Sequence, residues 1–461
     1  MNRQCEDKWG LSPRSGFSEA GTVPIYRRCS IHILLAMTCL TFAIMPIRLS
    51  YSNDERRTPP TRQRAGQATN DEAFLDKLEY DSLLYFPGET NPANGLIKDS
   101  SRPGAPASVA AVGFGLTALC IGDSRGWIEK GQAYERALKT LRAFRDKIPN
   151  EHGFFYHFLD MRNGARVWNS ELSSIDTALF LAGALFAGEY FKGTEVETLA
   201  KDIYNRVDWP WMMNGRKAIC MGWRPEEGFL PYYWDSYSES MILYALAIGS
   251  PTHPIPPSAW YEWSRPADSY KDHKVIYCYT GSIFTYQYSH AWIDFRNLYE
   301  NKDGTNYYAN SVNAVKANRE FCVDNSDRYK TYGEDCWGLT ACIGPKGYRS
   351  YGAKPGEAIH DGTIAPSGMA GSIVFDWENS LNGLKSLHDK YKKFLYGKYG
   401  FKDAFNIDKN WWSEEYLGID QGITVIMLEN YRTGLVWEKF MRLEPIKRWV
   451  ELCFWEEKHR T

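Results

Sequence analysis

Apolar residues recur at intervals of three and four along most of the chain. A period near 3.6 predicts helices over 109–121, 128–147, 171–190, 194–206, 236–248, 283–300, 307–325, 366–376, 378–396, 413–433 and 437–456. Stretches of strict alternation, the mark of strands, are scarce. The connections are rich in Gly and Pro, as in SPTHPIPPSAWYEWSRP after the helix over 236–248. A long succession of helices without strands for a sheet predicts an all-α fold in which helix pairs close into a ring, an (α/α) barrel. No internal repeat accompanies the pattern, so the architecture is inferred from helix number.

The first seventy residues depart from this periodicity. Arg27 and Arg28 precede the apolar run IHILLAMTCLTFAIMPI over 31–47, which is followed by polar sequence from Ser50. That is the layout of an export signal. The run is also about as long as a minimal membrane span, so an uncleaved anchor is the competing reading. Residues 1–52 are therefore expected to be an N-terminal extension carrying a signal or anchor. Residues 53–70, NDERRTPPTRQRAGQATN, contain no large apolar side chain and are expected to be a disordered linker. The apolar period then continues through 71–461, which reads as one domain, long enough to favour a barrel or toroid.

Composition narrows the function. The 461 residues carry 54 Lys+Arg against 56 Asp+Glu, a net charge of -2, with no basic blocks. Nucleic acid and anionic membrane surfaces, which select clustered positive charge, are poor partners for such a chain. Aromatic residues make up 15%, including 17 Trp and 30 Tyr. Flat amphipathic rings suit stacking on sugars, although a large core also uses them. Beyond the leader stand Cys120, Cys220, Cys278, Cys322, Cys336, Cys342 and Cys453, with no zinc-like spacing. A disulfide among Cys322, Cys336 and Cys342 is compatible with an oxidising compartment.

Three helices share an acidic residue near the start. Asp176 precedes Leu179, Phe180 and Gly183, Glu239 precedes Ile242, Leu243 and Leu246, and Asp420 precedes Ile423, Thr424 and Met427, at offsets of three, four and seven. Each carboxylate thus lies on the face that carries the apolar stripe. Such a group is costly if buried dry and tolerated where the stripe opens into a wet cleft. Acidic residues in first turns also complement the helix dipole, so a capping reading stands beside this one, with Ser170, Ser174 or Ser236 as further caps. The surroundings favour a cleft. Tyr232, Tyr233, Trp234 and Tyr237 crowd Glu239, and Trp411, Trp412 and Tyr416 precede Asp420. Rings beside carboxylates fit a saccharide site, and paired carboxylates are what glycoside hydrolysis requires. The chain has no GxSxG, HExxH, GxxxxGK[ST] or GxGxxG in the contexts that serine hydrolases, zincins and nucleotide enzymes need.

Seven ordered blocks carry a resemblance: EHGFFYHFLD, SELSSIDTALFLAGAL, YYWDSYSESMILYALAIGSPTHPIP, YTGSIFTYQYSHAWIDFR, CWGLTACIGPKGYRSYGA, DGTIAPSGMAGSIVF and YLGIDQGITVIMLENYRTGLVW. Together, over about 75–456, the chain resembles the glucoamylase-like domain of glycoside hydrolase family 144, the bacterial endo-β-1,2-glucanases. The resemblance implies an (α/α)6 barrel with no metal or cofactor. It also implies inverting hydrolysis of linear β-1,2-glucan to sophorose and short oligosaccharides. By motif, Glu239 in YSESM would be the general acid and Asp420 in GIDQG the general base, with Glu171 and Asp176 of SELSSIDTA binding sugar hydroxyls. Trp234, Asp235, Tyr237, Arg224, His290, Asp361 and Trp412 are further candidates for substrate contact, and Asp294 lies four residues beyond His290. Expected partners are a β-glucan polysaccharide or oligosaccharide. No nucleic acid is expected, and the membrane would be met only through the N-terminal segment. The expected state is a monomer in the bacterial periplasm, secreted, or anchored to the membrane. A transglycosylase on the same linkage, a non-catalytic glucan-binding protein and a sugar epimerase on a related barrel are the competing functions.

Overall fold

Helices buried on every side organise the molecule. The computed structural model describes residues 62–456, so the expected export signal or anchor lies outside the described residues. Its principal helices are α1 (Arg62–Leu83), α2 (Val109–Ser124), α3 (Gln132–Asp146), α4 (Ser174–Tyr190), α5 (Glu195–Asn205), α6 (Met241–Gly249), α7 (Tyr288–Trp292), α8 (Tyr307–Asp324), α9 (Pro366–Ala370), α10 (Trp377–Leu395), α11 (Gly418–Arg432), α12 (Leu435–Phe440) and α13 (Glu444–Cys453).

Two kinds of helix alternate. In α2, α4, α6, α7, α9 and α11 nearly every residue is buried. In α3, α5, α10 and α13 the buried residues form one stripe, such as Val196, Leu199, Ala200 and Ile203 of α5. A helix apolar all round must lie inside, and an amphipathic one must cover it. The packing agrees: α2 lies against α4 and α11, while α5 covers α4 and α13 covers α6. Glycines set the closest approach. A Cβ on Gly183 of α4 would lie 1.9 Å from the Gly113 carbonyl oxygen, and one on Gly113 of α2 would lie 2.2 Å from the Leu179 oxygen.

Short antiparallel pairs tighten the loops that enter the inner helices. β1 (Ala107–Ser108) pairs with β2 (Phe158–Leu159) immediately before α2. β3 (Leu172–Ser173) pairs with β4 (Gly222–Arg224), which pairs with β5 (Gly228–Phe229), immediately before α4. A hairpin of β6 (Ala341–Gly344) and β7 (Gly347–Ser350) and a pair of β8 (Phe405–Asn406) and β9 (Trp411–Trp412) complete the loops used below.

Several boundaries differ from the periodic reading. The stretch 283–300 breaks into a 3-10 turn, α7 and a strand, because Ile293 is extended and Leu298–Glu300 pairs with Phe454–Glu456. The stretch 437–456 divides into α12 and α13, the second opening with Pro445 in its first turn, where a missing N–H costs nothing. Helices expected from 236 and 413 begin only at Met241 and Gly418, because a turn through Glu239 and Ser240 precedes the first and extended Leu417 precedes the second. α1 begins at Arg62, inside the segment read as linker. The seven cysteines named above are free thiols, so Cys322, Cys336 and Cys342 form no disulfide. Among the described residues, no helix is long and apolar enough to cross a membrane.

Candidate active site

The inner helices bring their N-terminal ends together, and that convergence builds the site. Asp176 and Asp420 each occupy the third position of their helix, α4 and α11, while Ser367 is second in α9 and Tyr288 opens α7. Glu239 stands in the turn two residues before α6, not within its first helical turn. All three acids are buried, at 6%, 2% and 4% exposure for Asp176, Glu239 and Asp420. Tyr288 senses all three: burial, then the charges of Asp420, Glu239 and Asp176, holds its phenol far above its ordinary range. Free N–H groups and the positive ends of several helices meet here, which is an environment built for anionic or hydroxyl-bearing groups.

A cavity of about 210 Å³ opens at this end. Asp99, Asp176 and Glu415 supply its acidic wall, Arg102 and His157 its basic groups, and Phe158, Trp168 and Tyr348 its rings. Ser108, the N-cap of α2, also faces it. A second cavity of about 300 Å³ lies on the flank, over Val112, Leu116 and Leu119 of α2, away from the acidic cluster.

His157 organises one wall. Its Nδ1 lies 3.1 Å from Glu171 Oε1 and its Nε2 3.6 Å from Asp176 Oδ1. Burial opposes charge on the imidazole, but Asp176, Glu171 and Asp99 overcome it and hold the ring protonated up to about 9. Glu171, despite burial, is kept below its ordinary range by the His157 hydrogen bond and charge, with Arg224 3.9 Å away. Asp176 is held above its range by burial, against the pull of His157. Ser173 fixes the Asp176 rotamer: its hydroxyl donates to Oδ2 at 2.5 Å and accepts from the Asp176 N–H at 3.2 Å. Thus the cap of α4 is Ser173. Ser170 bonds the Phe158 backbone, and Ser174 donates to the Cys220 carbonyl. Asp99 is raised to about 6 by its burial in the cavity wall, with His157 pulling it down.

Asp420 has a partner on the opposite side. The carboxyl groups of Asp403 and Asp420 lie within hydrogen-bonding reach of each other. Burial, then the Asp420 charge, holds Asp403 far above the carboxylate range. Asp420 is raised to about 7 by burial, against hydrogen bonds from Asp403 and Ser367.

The other candidates fall into two groups. Glu171, Asp176 and Arg224 join the His157 network. Trp234 lies behind it, buried, with its indole N–H donating to Ser174 Oγ at 2.9 Å. Tyr237 packs against Tyr286 and Tyr307. Asp235 is exposed, and its backbone carbonyl accepts from both the N–H and the hydroxyl of Ser264. His290 is wholly buried, bonded to Ser311 Oγ at 3.0 Å and lowered to about 3 by that burial. It does not meet Asp294, which pairs with Arg296 at 2.6 Å. Asp361 ties its own loop to Lys409 at 2.5 Å and to Thr363, which keep it ionised despite burial. Trp412 stacks on Phe405 and Phe394. These last three belong to packing and loop order rather than to the cavity wall.

His157, Asp99 and Asp403 join the site without having been singled out by periodicity. His157 and Asp403 are polar residues in aromatic segments, FFYHFLD and YGFKDAFNI, which is the one sequence signal that marks them, whereas Asp99 lies in the polar stretch GLIKDSSRPG and carries no such signal.

Residues 231–444 match the Glycoamylase family model, described as "Putative glucoamylase". A "putative glucoamylase" of Bacteroides uniformis is 30% identical, with 84% of this chain and 98% of that one covered and a TM-score of 0.79. An endo-β-1,2-glucanase of Chitinophaga pinensis, solved with sophorotriose and glucose, is 29% identical, with 84% and 99% covered and a TM-score of 0.78. An exo β-1,2-glucooligosaccharide sophorohydrolase (non-reducing end) of Parabacteroides distasonis is 28% identical over 446 residues, 87% of this chain but 61% of that protein. The chain therefore spans less than two thirds of that curated relative. With nearly the whole of the Bacteroides uniformis chain matched at 30% identity, this chain belongs to the glucoamylase-like family, glycoside hydrolase family 144.

Proposed function

We propose that the chain is an endo-acting β-1,2-glucan hydrolase, working by an inverting acid/base mechanism on an (α/α)6 toroid. The observation that carries the reading is that buried Glu239 and Asp420, from the entrances of two different inner helices, act together with Asp176 on the Tyr288 phenol, and Asp176 lines the aromatic and acidic cavity. The printed activities of the relatives from Chitinophaga pinensis and Parabacteroides distasonis supply the linkage. The alternation of fully buried and amphipathic helices supports the six-pair ring.

In this mechanism Glu239 gives its proton to the glycosidic oxygen as the bond from that oxygen to the anomeric carbon breaks. A water attacks the opposite face of the anomeric carbon and loses its proton to Asp420. A base raised to about 7 serves this step well, because about half of it is ionised at neutrality and it binds a proton strongly. Glu171 and Asp176, oriented by His157 and Ser173, accept hydroxyls of the bound sugar, and Phe158, Trp168 and Tyr348 cover its C–H faces. Export to the periplasm or beyond, with the 31–47 run as signal or anchor, completes the proposal.

Incubation of the purified chain with linear β-1,2-glucan tests it. New reducing ends with a falling distribution of product lengths are the expected result. Release of sophorose alone would make the action exo, redistribution of lengths without new reducing ends would make it a transglycosylase, and binding without turnover would leave a glucan-binding protein.

A further inference from the structure

Two buried carboxyl groups that face one another need a proton between them, and Asp403 is where the geometry puts it. Asp403 is 1% exposed and Asp420 4%. Oδ2 of Asp403 accepts the Ile343 N–H of the β6–β7 hairpin at 2.8 Å, so that oxygen is committed as an acceptor. Its Oδ1 is buried without a donor among the described residues, and so is Oδ2 of Asp420. The two side chains lie within hydrogen-bonding reach of each other. Two ionised carboxylates so placed would repel with no solvent to screen them, whereas one proton converts the clash into a charge-assisted hydrogen bond. Among the described residues, the groups that act most strongly on the pair include no cation to replace that proton. Asp99 and Glu415 bring further negative charge, and Tyr288, Tyr348, Cys342 and Ser367 are neutral. Lys402 lines the small void beside Asp420, but its ammonium is taken by Glu414 at 2.6 Å.

We propose that Asp403 is a positioning residue that works as a neutral carboxylic acid, donating its proton as a hydrogen bond to Asp420 and so keeping Asp420 ionised and aimed as the base. This deepens the reading of Asp420 above and rests on it. The division of labour follows from the backbone contact: the Ile343 N–H pins one oxygen of Asp403 and leaves the other to carry the proton. Burial of both groups supports the same assignment, since only one charge of the pair is tolerated away from water.

Two variants separate this role from mere packing. Asp403→Asn keeps an acceptor for the Ile343 N–H and presents an amide N–H to Asp420, copying the protonated acid. Its kcat on β-1,2-glucan should stay within about tenfold of the parent, with the acidic limb of the pH profile unmoved. Asp403→Ala removes the donor. Its kcat should fall about 100-fold, and its acidic limb should move to higher pH by about one unit, because ionised Asp420 has lost its stabilising bond. Equal losses in both variants with an unmoved limb would overturn the proposal. A readout independent of turnover is ¹³C NMR of the full chain labelled at Asp Cγ. A protonated Asp resonance at neutral pH that disappears in Asp403→Asn is expected, and its absence from the parent would overturn the proposal even if Asp403→Ala fails to fold. If the protonated resonance is present but the parent does not cut β-1,2-glucan, the proton-sharing pair stands and the assignment of Asp420 as a glucanase base falls.

Discussion

At the scale of single residues, the site depends on a few buried groups whose charge is set by their neighbours. Glu239→Gln keeps shape and loses the transferable proton. Its kcat on β-1,2-glucan should fall between about 10² and 10⁴-fold while its thermal midpoint and glucan binding hold, as read from initial rates, calorimetry and a binding titration. Asp420→Asn should lose turnover to a similar degree, since it removes the proposed base, and a single-turnover experiment should locate the loss in the chemical step. His157 makes a separate prediction about pH. The ring titrates at about 9 in the fold against 6.5 when free, through Asp176, Glu171 and Asp99 acting against burial. The stability from its charge is therefore complete below pH 6.5 and lost as pH rises through 9. Unfolding midpoints measured across that window should fall in the parent, and the slope should flatten in His157→Gln. This residue was hard to read from the sequence, because its importance lies in Glu171 and Asp176, 14 and 19 positions away, reaching the same ring.

At the scale of elements, the inner helices cross where glycine allows. Gly113 and Gly183 let α2 and α4 touch backbone to backbone, and a Cβ at either position would lie well inside contact distance of a carbonyl. Gly183→Val should destabilise the fold by about 1–3 kcal/mol or more, because rigid backbone cannot yield to the added carbons, and urea unfolding should register a lower midpoint at unchanged slope. Helix existence was legible from periodicity over α2, α4, α5, α8 and α10, where buried stripes or wholly apolar runs are long. Helix entrances were less legible. Glu239 and Glu171 read as helical but sit in a turn and before a strand, since pairing of β3 with β4 and the bridge of Ser236 to Ser264 hold those approaches extended. Such pairing joins residues far apart in sequence and leaves no local period.

At the scale of the whole molecule, α1 is tied across the fold to α11. Arg432 reaches Glu79 at 2.6 Å and Asp76 at 2.7 Å, while Arg125 holds Glu429 at 2.6 Å. Glu79 is fully buried and held far above its range by burial and by Glu429, with Arg432 pulling it down. Arg432→Ala would leave Glu79 and Asp76 without their principal cation. A loss of about 3–5 kcal/mol, measured by urea unfolding, is expected, with glucan cleavage at low temperature retained because the junction is remote from the cavity. Periodicity did not foretell this closure, because the acids of α1 and the arginine of α11 lie more than 350 positions apart.

By itself, the sequence determined the helical class, the acids near helix starts, and the family blocks that carry Glu239 and Asp420, because period and motif are local properties of the chain. Only the tertiary structure decided that Asp99, His157 and Asp403 stand among those acids, that His290 is buried against Ser311, and that Trp412 stacks on Phe405 and Phe394. These residues reach their places through loops whose course is set by distant partners, such as the bridge from Ser100 to Leu417 and the hydrogen bond from Ile343 to Asp403. The charge each group carries follows from that assembly, since burial and facing charges exist only once the helix ends have met.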